Sequence, residues 1–546
     1  MSSYRRYPPP PPPPSTPLPL PCDRGPPPPP LVETPVTKLH CAIENAVADD
    51  DNVLVRITYP EQKLAFWSFL LSRKSEIERI VSHHLHVKTC QMGEVNTWIS
   101  GSFNICIPVC IDQISGARVL IRIPLPYKIG EANNAGNVDE KLRCEAASYM
   151  WIQENSPEIP IPKLFGCGFT DGQTFTTPEK VPFLSRLMWR VNRALRSLLS
   201  LPTPSHYVGR SYPDTLNTGY LIMSYVTDGA MLSQSWQAHR HNSDKRSNLF
   251  HGLARIMLSL GKPRLPRIGS FTLDNRGIIS LTNRPLTLRL QALENEGIDT
   301  DISRDYTYPA VDLYLLDFLN CHNNRIYQQP NSVHDQDDGQ QQVAALTMMK
   351  VLIRHFVSRD LRHGPFIFTL TDMHQSNIFV DDQWNITSLI DLEWACSLPM
   401  ELQCPPYWLS GRSVDGMPQG EHLDAFKGMV AEFITAFEVE ETLVVDKGQP
   451  LFRSALMRKC WETGSFWYFQ AVNSPKGMYM IFNQHIQRMF CAEHCRTTLF
   501  DGVVAPYWAR DTDAVIERKL KEEESYKDQL RETLLLDPSL ADRTRW

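Results

Sequence analysis

Three residues in one short stretch have the types and spacing to do chemistry. Phe366 to Trp394 reads FIFTLTDMHQSNIFVDDQWNITSLIDLEW, with Asp372, then Asn377 five positions on, then Asp391 at the end of a later apolar run. Asp-x4-Asn followed by a strand pair and a second Asp is the layout of a phosphoryl-transfer centre. One carboxylate accepts a hydroxyl proton. An amide oxygen and the other carboxylate hold magnesium against nucleotide phosphates. Magnesium is a hard cation that takes few protein oxygens, so Asn377 and Asp391 suffice as its protein ligands.

The elements that must position these groups are legible locally. Phe366 to Leu370 is β-prone and carries the chain up to Asp372. Ile378 to Val380 and Ile386 to Ile390 are two further runs around the polar turn Asp381-Asp382-Gln383-Trp384. A hairpin built from them brings Asn377 and Asp391 to one mouth. The alternative is that Asp372 and Asn377 are ordinary turn and capping residues.

With its tail, the segment resembles the core motif of the aminoglycoside phosphotransferase family, the choline-kinase-like branch of the protein-kinase-like fold. The matching residues are Leu370-Thr371-Asp372-Met373-His374-Gln375-Ser376-Asn377 and Ile390-Asp391-Leu392-Glu393-Trp394. Leu370 and Thr371 stand where the family carries His and Gly. Cys396 to Glu401, with Pro405-Pro406-Tyr407-Trp408, is similar to uncharacterised fungal members. The resemblance implies Asp372 as catalytic base, Asn377 and Asp391 as metal ligands, and a structural His374.

The resemblance also implies an α+β, bilobal protein-kinase-like fold. Its small lobe carries an antiparallel sheet plus a helix, and its large lobe is mostly helical. Asn104 to Ile111 and Ala117 to Ile123 are β-prone runs around Gly116. Gly101-Ser102-Phe103-Asn104 before them is the loop expected over the phosphates, with one glycine where protein kinases use three. Arg122 stands where the phosphate-gripping lysine is expected. Arginine is always charged and binds phosphate bidentately, although the two residues are not interchangeable at a shaped site. A surface arginine is the alternative reading.

Leu142, Ala146, Tyr149 and Met150 recur at helical spacing, giving an amphipathic helix over 139–152 with Glu145 as Arg122's expected partner. Otherwise Glu145 is a solvated helix residue. Ile159 to Gly166 reads as an extended link back to the sheet. Gly219 to Val226 reads as the last small-lobe strand, leading into a hinge where backbone groups of Met223 to Tyr225 meet the nucleotide base. The expected division is a Pro-rich arm over 1–36, a helical segment and nucleotide-binding lobe over 37–222, and a catalytic and acceptor lobe over 223–546.

Composition sets outer bounds. A chain of 546 residues, 42% apolar, can fill a large core. A net charge of −6 gives no reason to expect nucleic acid as a partner. Thirteen cysteines without paired spacing, and no apolar leader, point to a reducing, cytoplasmic setting. No apolar run is long enough for a transmembrane segment. Pro8–Pro14 and Pro26–Pro30 favour polyproline II and disorder. That arm is either passive or a ligand for a partner with an aromatic groove.

Residues 61–86 read as one helix whose apolar side is Leu64, Trp67, Leu70, Leu71, Ile77, Ile80 and Val81. His83, His84 and His86 read as its solvated end. Cys491-Ala492-Glu493-His494-Cys495 matches no standard zinc spacing. Arg186, Arg190 and Arg193 mark a basic amphipathic helix inside an insertion over 171–217. It either packs on the lobe or lies on an anionic membrane. Residues 245–262 and 343–359 read as helices, Ile268 to Leu281 as a hairpin, Gln328 to Gln342 as a loose loop, and 421–546 as mostly helical.

The expected activity is transfer of the γ-phosphoryl of ATP or GTP, with Mg2+, to a hydroxyl of a small-molecule acceptor. The alternative is a catalytically silent nucleotide-binding or scaffold module. Tyr407, Trp408, Trp461, Trp467 and Tyr468 could line the acceptor pocket or belong to the core.

Overall fold

The computed structural model describes residues 35–112, 116–212, 216–417, 420–445, 452–490 and 498–543. The Pro-rich runs and the Cys491–Cys495 segment lie outside the described residues.

An antiparallel sheet occupies the first part of the chain. Its strands are β1 (Gln91–Met92), β2 (Ile99–Ser100), β3 (Asn104–Asp112), β4 (Ala117–Pro124), β5 (Leu164–Gly168), β6 (Gln173–Thr176), β7 (Val208–Ser211) and β8 (Tyr220–Ser224). They pair in the order β1-β3-β4-β8-β5-β6-β7, with β2 also on β3. Alternation explains the layering. Ile105, Ile107, Val109, Ile121 and Ile123 form one buried face with Ile77, Ile80 and Val81 of the helix Lys74–Leu85. Leu164, Cys167, Leu221 and Met223 belong instead to the core shared with the helix Asn137–Asn155.

That helix is buried along most of its length rather than amphipathic at a surface. It lies between the sheet and the strands that follow. Trp151 packs on Phe271 (5.3 Å) and Phe368 (4.6 Å). Charge is buried at its start only because it is paired: Arg284 bridges Glu140 (2.8 Å) and Glu294 (2.6 Å).

Small strands and helices make up the rest. β9 (Ala230–Met231) lies beside a hairpin of β13 (Ile378–Val380) and β14 (Ile386–Leu389). β10 (Ser270–Leu273) pairs with β11 (Ile279–Asn283), and β12 (Phe366–Leu370) with β15 (Ala395–Pro399). Long helices Ser243–Leu260, Val311–Gln328, Gln336–Phe356, Glu421–Val444 and Thr512–Leu536 surround them. The architecture is the expected α+β one: an antiparallel sheet with its packing helix, followed by a mostly helical part. The helix Pro35–Val47 leads into a cluster in which Ala42, Ile43, Ala46, Val53 and Ile57 pack on Tyr526, Leu530 and Leu534 near the C-terminus.

Four expectations are corrected. The helix over 61–86 is two helices, Tyr59–Ser72 and Lys74–Leu85, broken at Arg73. Leu64 and Leu71 are exposed. His84 is not solvated: it is fully buried between Tyr220 Oη (3.0 Å) and Thr176 Oγ1 (2.7 Å), and burial drives its pKa down to about 3. The loop over 328–342 ends at Asp335, whose side chain caps the helix Gln336–Phe356 by accepting from Asp338 N at 2.8 Å.

Candidate active site

The β13–β14 register pairs Ile378 with Leu389, and Ile390 N donates to Asn377 O at 3.0 Å. Asn377 and Asp391 therefore leave the hairpin at the same end. Asp372 sits in the loop after β12, tied down because Thr371 N and Oγ1 both donate to Trp394 O. Asn377 Nδ2 turns back to donate to Asp372 O (2.9 Å) and Oδ2 (3.4 Å). With its nitrogen committed, the amide oxygen has no donor among the described residues and is suited to a cation. Asp391 holds φ +59, the left-handed region that a non-glycine residue adopts at a cost.

Desolvation, reinforced by Glu393 and Asp391, pushes the Asp372 carboxyl up to about 7. His374 Nε2 stands 3.8 Å from Asp372 Oδ1, while His374 Nδ1 accepts from Ser376 N. This loop capping is consistent with the structural role the resemblance implied.

Arg122 and Glu145 meet: Nε lies 3.0 Å from Oε1, with Arg122 on β4 and Glu145 on the helix Asn137–Asn155. Both are buried. The other two prongs of the guanidinium reach Asp391 Oδ1 (2.5 Å) and Glu393 Oε2 (2.7 Å). Lys141, one turn before Glu145 and fully buried, adds a second cation on Glu393 (2.5 Å). Asn104 completes the set, donating to Glu393 at 2.7 Å and accepting from Lys141 at 2.6 Å. Burial works against Glu393's ionisation, but Lys141, Arg122 and these hydrogen bonds outweigh it and hold the carboxyl at about 2. Burial also pushes Glu145 up, against the pull of Arg122 and Lys141.

Arg122 and Lys141 thus face Asp391, Glu393 and Glu145: two cations against three carboxylates. A divalent cation at the hairpin mouth would reverse that balance and favour phosphate. Asn377 and Asp391 are the residues that would hold it. Among the described residues, no group of three or more His, Cys, Asp and Glu side chains could hold a metal by itself.

Gly101 N donates to Asn104 O at 2.9 Å, which closes the turn between β2 and β3. Met223 lies inside the sheet ladder, paired with Leu120 and Leu164, and Tyr225 is just past the end of β8 under Arg118 (4.9 Å). A cavity of about 900 Å3 opens beside Asp372, lined also by Ser102, Phe103, Arg289, Tyr407 and Trp408. Arg122, Glu145, Met223 and Tyr225 do not line it. Trp461, Trp467 and Tyr468 are core residues: Trp467 stacks on His485 at 3.5 Å, and Tyr468 Oη donates to Met349 O at 2.8 Å.

Sequence reasoning missed Asn104, Lys141, Glu393 and Arg289. Lys141 was findable from its i,i+4 relation to Glu145. Glu393 lay inside the motif without a role. Nothing local marks Arg289.

No family model matches the chain, and no curated protein does. Among solved structures, a macrolide 2'-phosphotransferase type I is 11% identical, covering 80% of this chain and 97% of its own, with a TM-score of 0.34. A streptomycin–ATP–APH(2'')-IIa ternary complex is 9% identical, covering 76% and 97%, with a TM-score of 0.36. An aminoglycoside phosphotransferase from Alicyclobacillus acidocaldarius is 11% identical, covering 80% and 92%, with a TM-score of 0.29.

Proposed function

We propose that the chain is a phosphotransferase that moves the γ-phosphoryl of ATP or GTP, with Mg2+, to a hydroxyl of a small molecule. One observation carries the reading: Asp372, Asn377 and Asp391 converge at one hairpin mouth, and the Arg122 guanidinium joins Asp391 to Glu145. Asp372, with its raised affinity for a proton, accepts one from the acceptor hydroxyl held in the adjoining cavity. Asn377 and Asp391 hold magnesium, which supplies charge neutralisation on the phosphates. Arg122, steadied by Glu145, grips phosphate oxygens under the Gly101–Ser102 turn, and main chain near Met223 and Tyr225 meets the base. In this reading residues 37–222 form the nucleotide-binding lobe and 223–546 the acceptor lobe, in a cytoplasmic setting.

A second reading, a silent nucleotide-binding or scaffold module, is favoured by one feature: Arg122 replaces lysine and is fully engaged by three carboxylates. Two measurements separate them. Saturating ATP or GTP with magnesium, at about a hundred times its dissociation constant, should stabilise the wild type by roughly 2.7 kcal/mol, and Asp391→Asn should lose that shift. Asp372→Asn should keep the shift but lose phosphotransfer to an acceptor, or to water, by at least a hundredfold, within the usual range for a general base. No nucleotide shift in wild type removes the kinase reading. A shift without any turnover supports the silent module.

A further inference from the structure

The helix Phe183–Leu198 joins β6 to β7 at the sheet edge and carries no buried residue. At about 3.6 residues per turn, Phe183, Leu184, Leu187, Met188, Val191, Ala194, Leu195 and Leu198 fall within less than half of its circumference. Ser185, Arg186, Trp189, Arg193 and Arg196 share the opposite side. An ordinary surface helix turns its apolar stripe inward. This one is reversed. The partly covered residues are those of the polar side: Arg193 donates to His206 Nδ1 (2.6 Å), and Arg196 donates to Pro202 O (3.3 Å).

The apolar stripe faces outward. Leu184 is 71% exposed, Met188 69%, Leu195 53% and Leu198 82%, and Leu199 and Leu201 extend the patch. A contiguous exposed apolar face on this scale marks an interaction surface.

Charge identifies the partner. The helix holds Arg186, Arg190, Arg193 and Arg196 and no acidic residue. Arg190 is exposed at the boundary of the stripe, and the remaining arginines lie behind it. A second copy laid on this face would bring like charges together with nothing on either helix to offset them. An anionic lipid surface offers hydrocarbon for the stripe and negative headgroups for its basic edge. The helix is too short to cross a bilayer, and no helix among the described residues is long and apolar enough to do so. We propose that the Phe183–Leu198 helix is an interfacial anchor that seats the sheet edge on an anionic membrane, its outward leucines in the acyl boundary and Arg190 at the headgroups.

The test is cosedimentation of the full chain with vesicles of phosphatidylcholine alone and of phosphatidylcholine with a third phosphatidylserine. Wild type should pellet with the anionic vesicles at least tenfold more than with the neutral ones, and added salt should reduce that binding. Leu187→Asp/Val191→Asp should stay in the supernatant, and Arg190→Glu should bind several-fold more weakly. Both variants should melt with the wild type, because the substituted side chains face outward. Wild type remaining in the supernatant with anionic vesicles overturns the proposal, as does binding that both variants retain. A wild-type dimer that Leu187→Asp/Val191→Asp splits, with no vesicle binding, reassigns the stripe to self-association. Equal pelleting with neutral vesicles overturns the anionic part.

Discussion

Glu393 shows how a buried charge is kept at this site. It is satisfied by Lys141, Arg122 and Asn104 together, so removing one partner leaves its charge undercompensated. Lys141→Met should destabilise the protein by about 3 kcal/mol in denaturant melts, because breaking a buried pair leaves an undercompensated charge. Adding Glu393→Gln should recover part of that loss. The sign with pH follows from the direction of the shift. A carboxyl held near 2 in the folded state stabilises above its unfolded value, and that contribution drains as pH falls toward 2. Asp372, Asn377 and Asp391 were legible because their separation along the chain is short. Asn104 was not, because its partner Glu393 lies 289 positions away, and no local pattern encodes such a meeting.

At the scale of elements, the hairpin that ends at Asn377 and Asp391 depends on its neighbour Gly229. Gly229 holds φ +83 beside β13, and a Cβ there would stand 2.6 Å from Val380 O. Thr387 Oγ1 also donates to Asp228 O at 2.9 Å. Gly229→Ala should therefore cost more than about 1 kcal/mol and shift the hairpin that carries Asn377, and under the proposed function phosphotransfer should fall with it. The loop before the helix Gln336–Phe356 makes a different prediction. His334 is held by Glu523 (2.7 Å) and Asp50 (3.2 Å), and its side-chain hydrogen bonds to Asp50 and Glu523 raise its pKa to about 10. Its contribution to stability is complete below about 6.5 and is lost as pH rises toward 10. The melting deficit of His334→Gln should shrink across that window, from a maximum on the order of 1 kcal/mol once solvent screening is allowed for. Strand positions were readable from apolar runs bounded by turn residues. The break at Arg73 carries no glycine or proline to announce it. The start of Gln336–Phe356 is so polar that its capping Asp335 read as loop.

Across the whole molecule, the segment over 42–57 and the helix Thr512–Leu536 hold each other. Val53 N donates to Tyr526 Oη at 2.9 Å, and Lys476 pairs with both Asp51 and Glu296. All three of those charged residues line the cavity beside Asp372, so the N-terminal segment contributes to its wall. A chain beginning at Thr58 should lose on the order of 5 kcal/mol, from burial of Ile43, Val53 and Ile57, and calorimetry should register a lower melting temperature. Such closure of distant ends has no signature in periodicity. Arg122 has a consequence of another kind. Its guanidinium already occupies one oxygen of Asp391, so a bare divalent ion held there, as proposed, would contend with this side chain for that oxygen. An ion escorted by a nucleotide brings phosphates that offer the displaced guanidinium new company. If Asp391 holds magnesium as proposed, metal that arrives with a nucleotide should bind there more tightly than metal that comes alone.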